Sequence, residues 1–138
     1  MANFLEALRT RVKSLAPELT DVYLASSKTD SVFPYVIINK LWEDTIETSI
    51  EGEDYKEVRL QFTLFSFSDV QAETLGKQIY KGLKSRSSML DFTDGYEMGR
   101  NPGRFIGPTD AMDEAVGDQN VWRIMFDYTW NIGQNPDD

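Results

Sequence analysis

Between Tyr55 and Leu83 the sequence runs YKEVRLQFTLFSFSDVQAETLGKQIYKGL, and the spacing of its apolar residues switches from two to that of a helix with almost no loop between. Val58, Leu60, Phe62 and Leu64 alternate with Arg59, Gln61 and Thr63, the pattern of a strand that buries one face. Phe65 and Phe67 then place aromatics on the polar face. Ser68 with Gln71 fits a capping box, and Val70, Leu75, Ile79 and Leu83 recur at helical spacing, which predicts a helix starting near Asp69. Asp69 and Glu73 in its first turns and Lys77, Lys81 and Lys84 in its last oppose the macrodipole. A strand that runs straight into an amphipathic helix must fold that helix back over its sheet, so the two stripes are expected to meet as the core.

A chain of 138 residues predicts one domain, residues 1–138, large enough to bury a core unaided. It has no cysteine and no histidine. That removes disulfides, thiolate nucleophiles, the usual zinc sites and the commonest neutral-pH acid/base, so most familiar enzyme mechanisms are disfavoured and no cofactor or metal is expected. The net charge of −9 argues against a firm grip on nucleic acid, which is held mainly by lysine and arginine. Charges interrupt the apolar residues of the first sixteen positions, as in neither a signal peptide nor a membrane span, and a cytoplasmic product is expected.

Taken in order, Phe4, Leu5, Leu8, Val12 and Leu15 share one side of a predicted helix over 2–15, ended by Pro17. DVYLA at 21–25 is a short strand candidate. After Pro34, YVIINKLW at 35–42 carries consecutive β-branched residues and reads as an interior strand. Residues 43–57 hold seven acidic side chains against Lys56, predicting a solvated acidic hairpin with a turn at Gly52. Residues 85–119 lack a sustained period and read as an irregular loop region with a short strand near Arg104–Ile106. VWRIMFDYTWNI, ending at Ile132, alternates strictly and is a strand, and residues 133–138 read as a short flexible tail.

Four patterns invite a sharper chemical reading. The basic side of the first helix could touch a membrane or nucleic acid, but a solvated face explains it as well. Glu51, Glu53 and Asp54 could hold a cation, but their spacing is not that of a calcium loop. Gly99, Gly103 and Gly107, with Arg100 and Arg104 between them, suggest a phosphate cradle, but no Lys-Ser/Thr follows and Pro102 removes an amide. The aromatic row of the last strand could stack sugars or bases, but a strand facing a helix needs the same row for its core.

The expected architecture is therefore α+β, with about four strands and two helices. In this arrangement the N-terminal amphipathic helix, FPYVIINKLW, EVRLQFTLFSFSDVQAETLGKQIYKGL and VWRIMFDYTWNI together resemble the tail-completion, or tail-terminator, proteins of long-tailed bacteriophages and prophages. The resemblance implies an α+β fold with two helices packed on one face of a mostly antiparallel sheet of about four strands, and a structural virion protein without catalytic residues, an oligomeric and hexameric ring that caps the head-proximal end of the tail tube. Its implied partners are further copies of itself, the major tail tube protein and neck or head-completion proteins. DNA would pass through without specific binding, no membrane would be involved, and the protein would reside in the virion tail after assembly in the host cytoplasm.

Candidate interface residues are Glu51, Glu53 and Asp54 of the acidic hairpin, Phe65 and Phe67 on the face a lone helix layer leaves uncovered, and the basic group Lys77, Lys81, Lys84 and Arg86. Another neck or head-completion protein, a small-molecule-binding regulatory domain and a carboxylate enzyme are the alternatives. The binding domain requires a cavity with convergent polar groups, and the enzyme a cleft with two acids of separated pKa.

Overall fold

The computed structural model describes residues 3–24, 32–48, 53–85, 89–93, 95–111 and 116–134. Helix α1 (Phe4–Leu15) leads to β1 (Asp21–Leu24), β2 (Tyr35–Thr48) and β3 (Glu53–Ser66). Helix α2 (Asp69–Lys84), β4 (Asp91–Phe92), β5 (Gly95–Asp110) and β6 (Trp122–Gln134) follow. The strands form one six-stranded sheet among the described residues, ordered β1-β2-β3-β6-β5-β4, curled into a half-barrel.

This corrects the expected mostly antiparallel sheet of about four strands to a mixed sheet of six. The sheet is mixed, because β1 pairs with β2 in parallel while the other pairs are antiparallel. The added sheet comes mainly from β5, which lies in the stretch read as irregular. Its pairing with β6 slips at Glu97/Gly99, Pro102/Phe105 and Ile106/Thr109, and each slip moves side chains to the other face. A long strand interrupted in this way leaves no period for a sequence to display.

Both helices start on side-chain caps. Asn3 Oδ1 accepts from Glu6 N–H at 2.9 Å, and Ser68 Oγ accepts from Gln71 N–H at 3.2 Å. The return half of the second cap is rerouted, since the Gln71 side chain bonds Ser66 Oγ, which in turn accepts from Ser68 N–H at 3.1 Å. Strand end and helix start are thereby tied directly, so α2 leaves the sheet at a fixed angle.

The core is the expected one with one substitution. Val58, Leu60, Phe62 and Leu64 are buried against Leu75, Ile79 and Leu83, but Val70 is 69% exposed. Ala72 and Gly76 take its place on the buried stripe, and a Cβ on Gly76 would stand 2.8 Å from Ile124 Cγ2. The close approach of helix to sheet therefore needs small residues where the apolar periodicity marks none. From β6, Ile124, Phe126, Tyr128, Trp130 and Ile132 join the same core, with Phe62 stacked on Phe126 at 4.9 Å between ring centroids. Leu8 and Val12 seal it from α1.

Candidate assembly interface

The expected acidic hairpin is largely paired strand. β2 and β3 stay in register out to Thr48 opposite Glu53, with one bulge between Lys40 and Trp42. Its acids therefore line a ladder. On the helix side Glu43 accepts a hydrogen bond from Lys40 at 3.4 Å and is ion-paired to Lys56 at 3.7 Å. Glu53 and Asp54 begin β3, and Glu51 lies outside the described residues.

The opposite, helix-free face holds a second, smaller core. Tyr35, Phe65, Ala111 and Val121 are buried there, with Tyr23, Phe33 and Ile37 packed around them. Phe65 lies 5.2 Å from Tyr35 between ring centroids, so the chain itself covers it. Phe67 remains 42% exposed with its ring 4.3 Å from Phe33, and the neighbouring Val32 is exposed as well. The exposed aromatic patch is thus narrower than the alternation at 65 and 67 suggests.

Of the basic group, Lys77 is held by Glu73 at 2.7 Å, and the Lys84 ammonium sits 4.6 Å from the Tyr80 ring centroid. Lys81 is exposed with no ionic partner among the described residues, and Arg86 lies outside them. The lysines project from the helix layer while Phe65 and Phe67 belong to the other face, so the structure does not gather the candidates into one site.

The glycine-arginine stretch of β5 has a different job from a phosphate cradle. Arg100 is buried, and its Nε and Nη2 donate to Glu97 at 2.5 and 2.7 Å. Glu97 also accepts from Leu90 N–H at 2.9 Å and from Trp130 Nε1 at 3.0 Å, while Arg100 Nη1 donates to Leu83 O at 3.1 Å at the end of α2. Every lone pair that burial would strand is used, as a buried ion pair requires. On the helix-free face Asp127 accepts from Arg59 Nε at 2.9 Å and from Arg104 N–H at 2.7 Å. Neither network has a sequence signature, because partners up to 68 positions apart meet only across the ladder.

Among the described residues two ionisations are displaced. The Asp21 carboxyl is held below its usual range chiefly by the Val22 N–H, with Arg9 assisting and burial opposing. Burial, reinforced by the adjacent Tyr80, pushes the Tyr128 phenol above its ordinary value, and its hydroxyl donates to Tyr80 O. Among the described residues no three acids gather as metal ligands, and no helix is long and apolar enough to cross a membrane. A cleft of about 180 Å³ opens beside the start of α1, floored by Phe4, Leu5, Val58, Phe92 and Ile132 and rimmed by Lys40, Glu43 and Lys56.

No protein-family model matches the chain. Among solved structures, its fold is shared with a chain of the virion of a native gene transfer agent particle, with a TM-score of 0.64, 14% identity and 95% of each chain covered. Bacteriophage SPP1 gp17 aligns with a TM-score of 0.42 and 18% identity over 88% of this chain and 86% of that one. Among curated proteins, isoleucine–tRNA ligase 2 of Bacillus cereus is 30% identical over 118 residues, 83% of this chain. The chain spans 11% of that ligase's length.

Proposed function

We propose that this chain is a structural component of a phage-type virion, a tail-completion protein that forms a ring, six-membered as in the family it resembles. It caps the head-proximal end of the tail tube and offers a surface to neck proteins. The observation that carries this reading is the fold shared end to end with a virion chain. The build of the molecule agrees with it: the buried charges Glu97, Arg100 and Asp127 are spent on internal networks, while Trp42, Phe67 and Tyr96 are left exposed. In this reading the protein is not an enzyme, DNA passes without being held, and its site of action is the virion tail after assembly in the cytoplasm.

Head-to-tail contact between unlike patches is what closes a ring. The acidic hairpin tip with Glu51, Glu53 and Asp54 and the basic end of α2 with Lys77, Lys81, Lys84 and Arg86 are the proposed unlike patches, and Phe65 and Phe67 mark the apolar part of the contact. The test is to add the purified chain to growing tail tubes and follow tube length by electron microscopy. Tubes that stop growing and carry a ring at one end support the proposal, and tubes that elongate unchanged overturn it.

A second reading, a small-molecule-binding domain, draws on the cleft beside α1, where two lysines and one glutamate converge over an apolar floor. A thermal-shift screen with amphipathic carboxylates decides it: no ligand raising the melting temperature removes this reading.

A further inference from the structure

The two arginines on the helix-free face of β3 and β6 have opposite surroundings. Arg59 is ion-paired to Asp127. Arg123 stands opposite Phe65 on one side and Thr109 on the other, has no ionic partner among the described residues, and its Nε is buried without a hydrogen-bond partner. Arginine cannot shed its proton, so this cation is partly desolvated with nothing in return.

The complementary fault lies on the same face. Asp44 and Glu57 are direct cross-strand partners in the β2–β3 ladder, and like charges placed so repel. Among the described residues neither meets a cation, whereas Glu43 on the helix side has two lysines. Glu57 and the Phe65 that faces Arg123 are eight residues apart on β3, which at the rise of a strand is about 26 Å. The two faults cannot correct each other within one copy.

We propose that Arg123 of one copy receives the Asp44 and Glu57 carboxylates of a second copy, and that this ion pair is an anchor of the contact between copies. A guanidinium fork takes a carboxylate through two parallel N–H donors, and a second carboxylate beside it shares the same charge. The buried Phe65, Tyr35 and Val121 near Arg123 keep water from competing. The inference rests on the reading of the chain as a self-assembling protein, and adds to the proposed lysine patch a receptor that is not already engaged by its own chain.

Sedimentation velocity of the full chain across a salt series, with thermal melts of the same samples, provides the test. Arg123→Met removes a buried donor that has no internal partner, so it is expected to leave the monomer as stable as the parent or more so while weakening self-association roughly tenfold or more. Arg123→Glu should abolish association, and combining it with Asp44→Lys and Glu57→Lys should restore it. If Arg123→Met associates like the parent at every ionic strength, or destabilises the monomer, the anchor is overturned although the ring reading stands. A parent that neither self-associates at high concentration nor caps tubes overturns both.

Discussion

The indole nitrogen of Trp130 donates to Glu97 Oε1 at 3.0 Å, and this contact joins the most regular strand of the sequence to the least regular one. Glu97 is buried with Arg100, so either charge alone would be uncompensated. Glu97→Gln should cost about 3–5 kcal/mol in denaturant melts, because Arg100 then stays buried without its counter-charge. Replacing the pair together, as Glu97→Met with Arg100→Leu, should cost less than the single change, and an additive double-mutant cycle would contradict this account.

Gly103 owes its identity to Asp127. A Cβ at position 103 would stand 1.7 Å from Asp127 Oδ1, the oxygen that accepts Arg104 N–H. Gly103→Ala should therefore displace Asp127 and loosen Arg59, at a cost of about 1–3 kcal/mol. In an Asp127→Ala background the same glycine change should cost much less. Urea melts of the four proteins provide the check.

Where a residue's partner lies within one turn or one strand, it was legible in the sequence. The Ser68 cap, the buried row from Val58 to Leu64 and the aromatic row of β6 all belong to that class, because periods of two and of a helix are properties of local chain geometry. Val70 departs from its expected burial because a helix stripe has width, and which edge of it meets the sheet depends on how closely Gly76 lets Ile124 approach. β5 was legible only as the short strand expected near Arg104–Ile106, and its full length was not, for a related reason: its three register slips, with Pro102 and Pro108 in the strand, erase alternation while the ladder with β6 persists. Of the interface candidates, Phe65 was read correctly as lying on the helix-free face, but its cover by Tyr35 depends on β2 register that no local pattern encodes.

Asp21 links α1 to the edge strand through Arg9, with Nη2 to Oδ1 at 3.2 Å, while its own next amide donates at 2.7 Å. The folded carboxyl titrates below its unfolded value of about 3.9, so it contributes stability that is fully present above that pH and is lost as pH falls through the folded value. Asp21→Asn should thus be less stable than the parent at neutral pH, and the gap should close in acid. The effect is small, because the Asp21 side chain keeps 32% of its exposure and solvent screens the pair. Urea midpoints of both proteins at pH 7 and at strongly acidic pH check the sign, and a gap that widens in acid would reverse the assignment.

The hairpin tip provides the last prediction, because its charge can serve either a lumen or a contact. Carboxylates lining a DNA path repel phosphate and leave a passing duplex no place to stall. Carboxylates facing a neighbour's Lys81, the α2 lysine with neither an ionic nor an aromatic partner among the described residues, instead draw copies together, with a strength that salt screens. Neutralising the tip as Glu51→Gln, Glu53→Gln and Asp54→Asn separates the two placements. We expect the contact: assembly followed by light scattering should weaken at low salt and lose most of its dependence on ionic strength, since the attraction that salt screens has been removed. Lys81→Gln should reproduce part of that loss, while Lys77→Gln, whose ammonium is already held by Glu73, should change it less. A triple variant that assembles like the parent at every ionic strength assigns the tip to the lumen, where its loss would show in DNA passage instead.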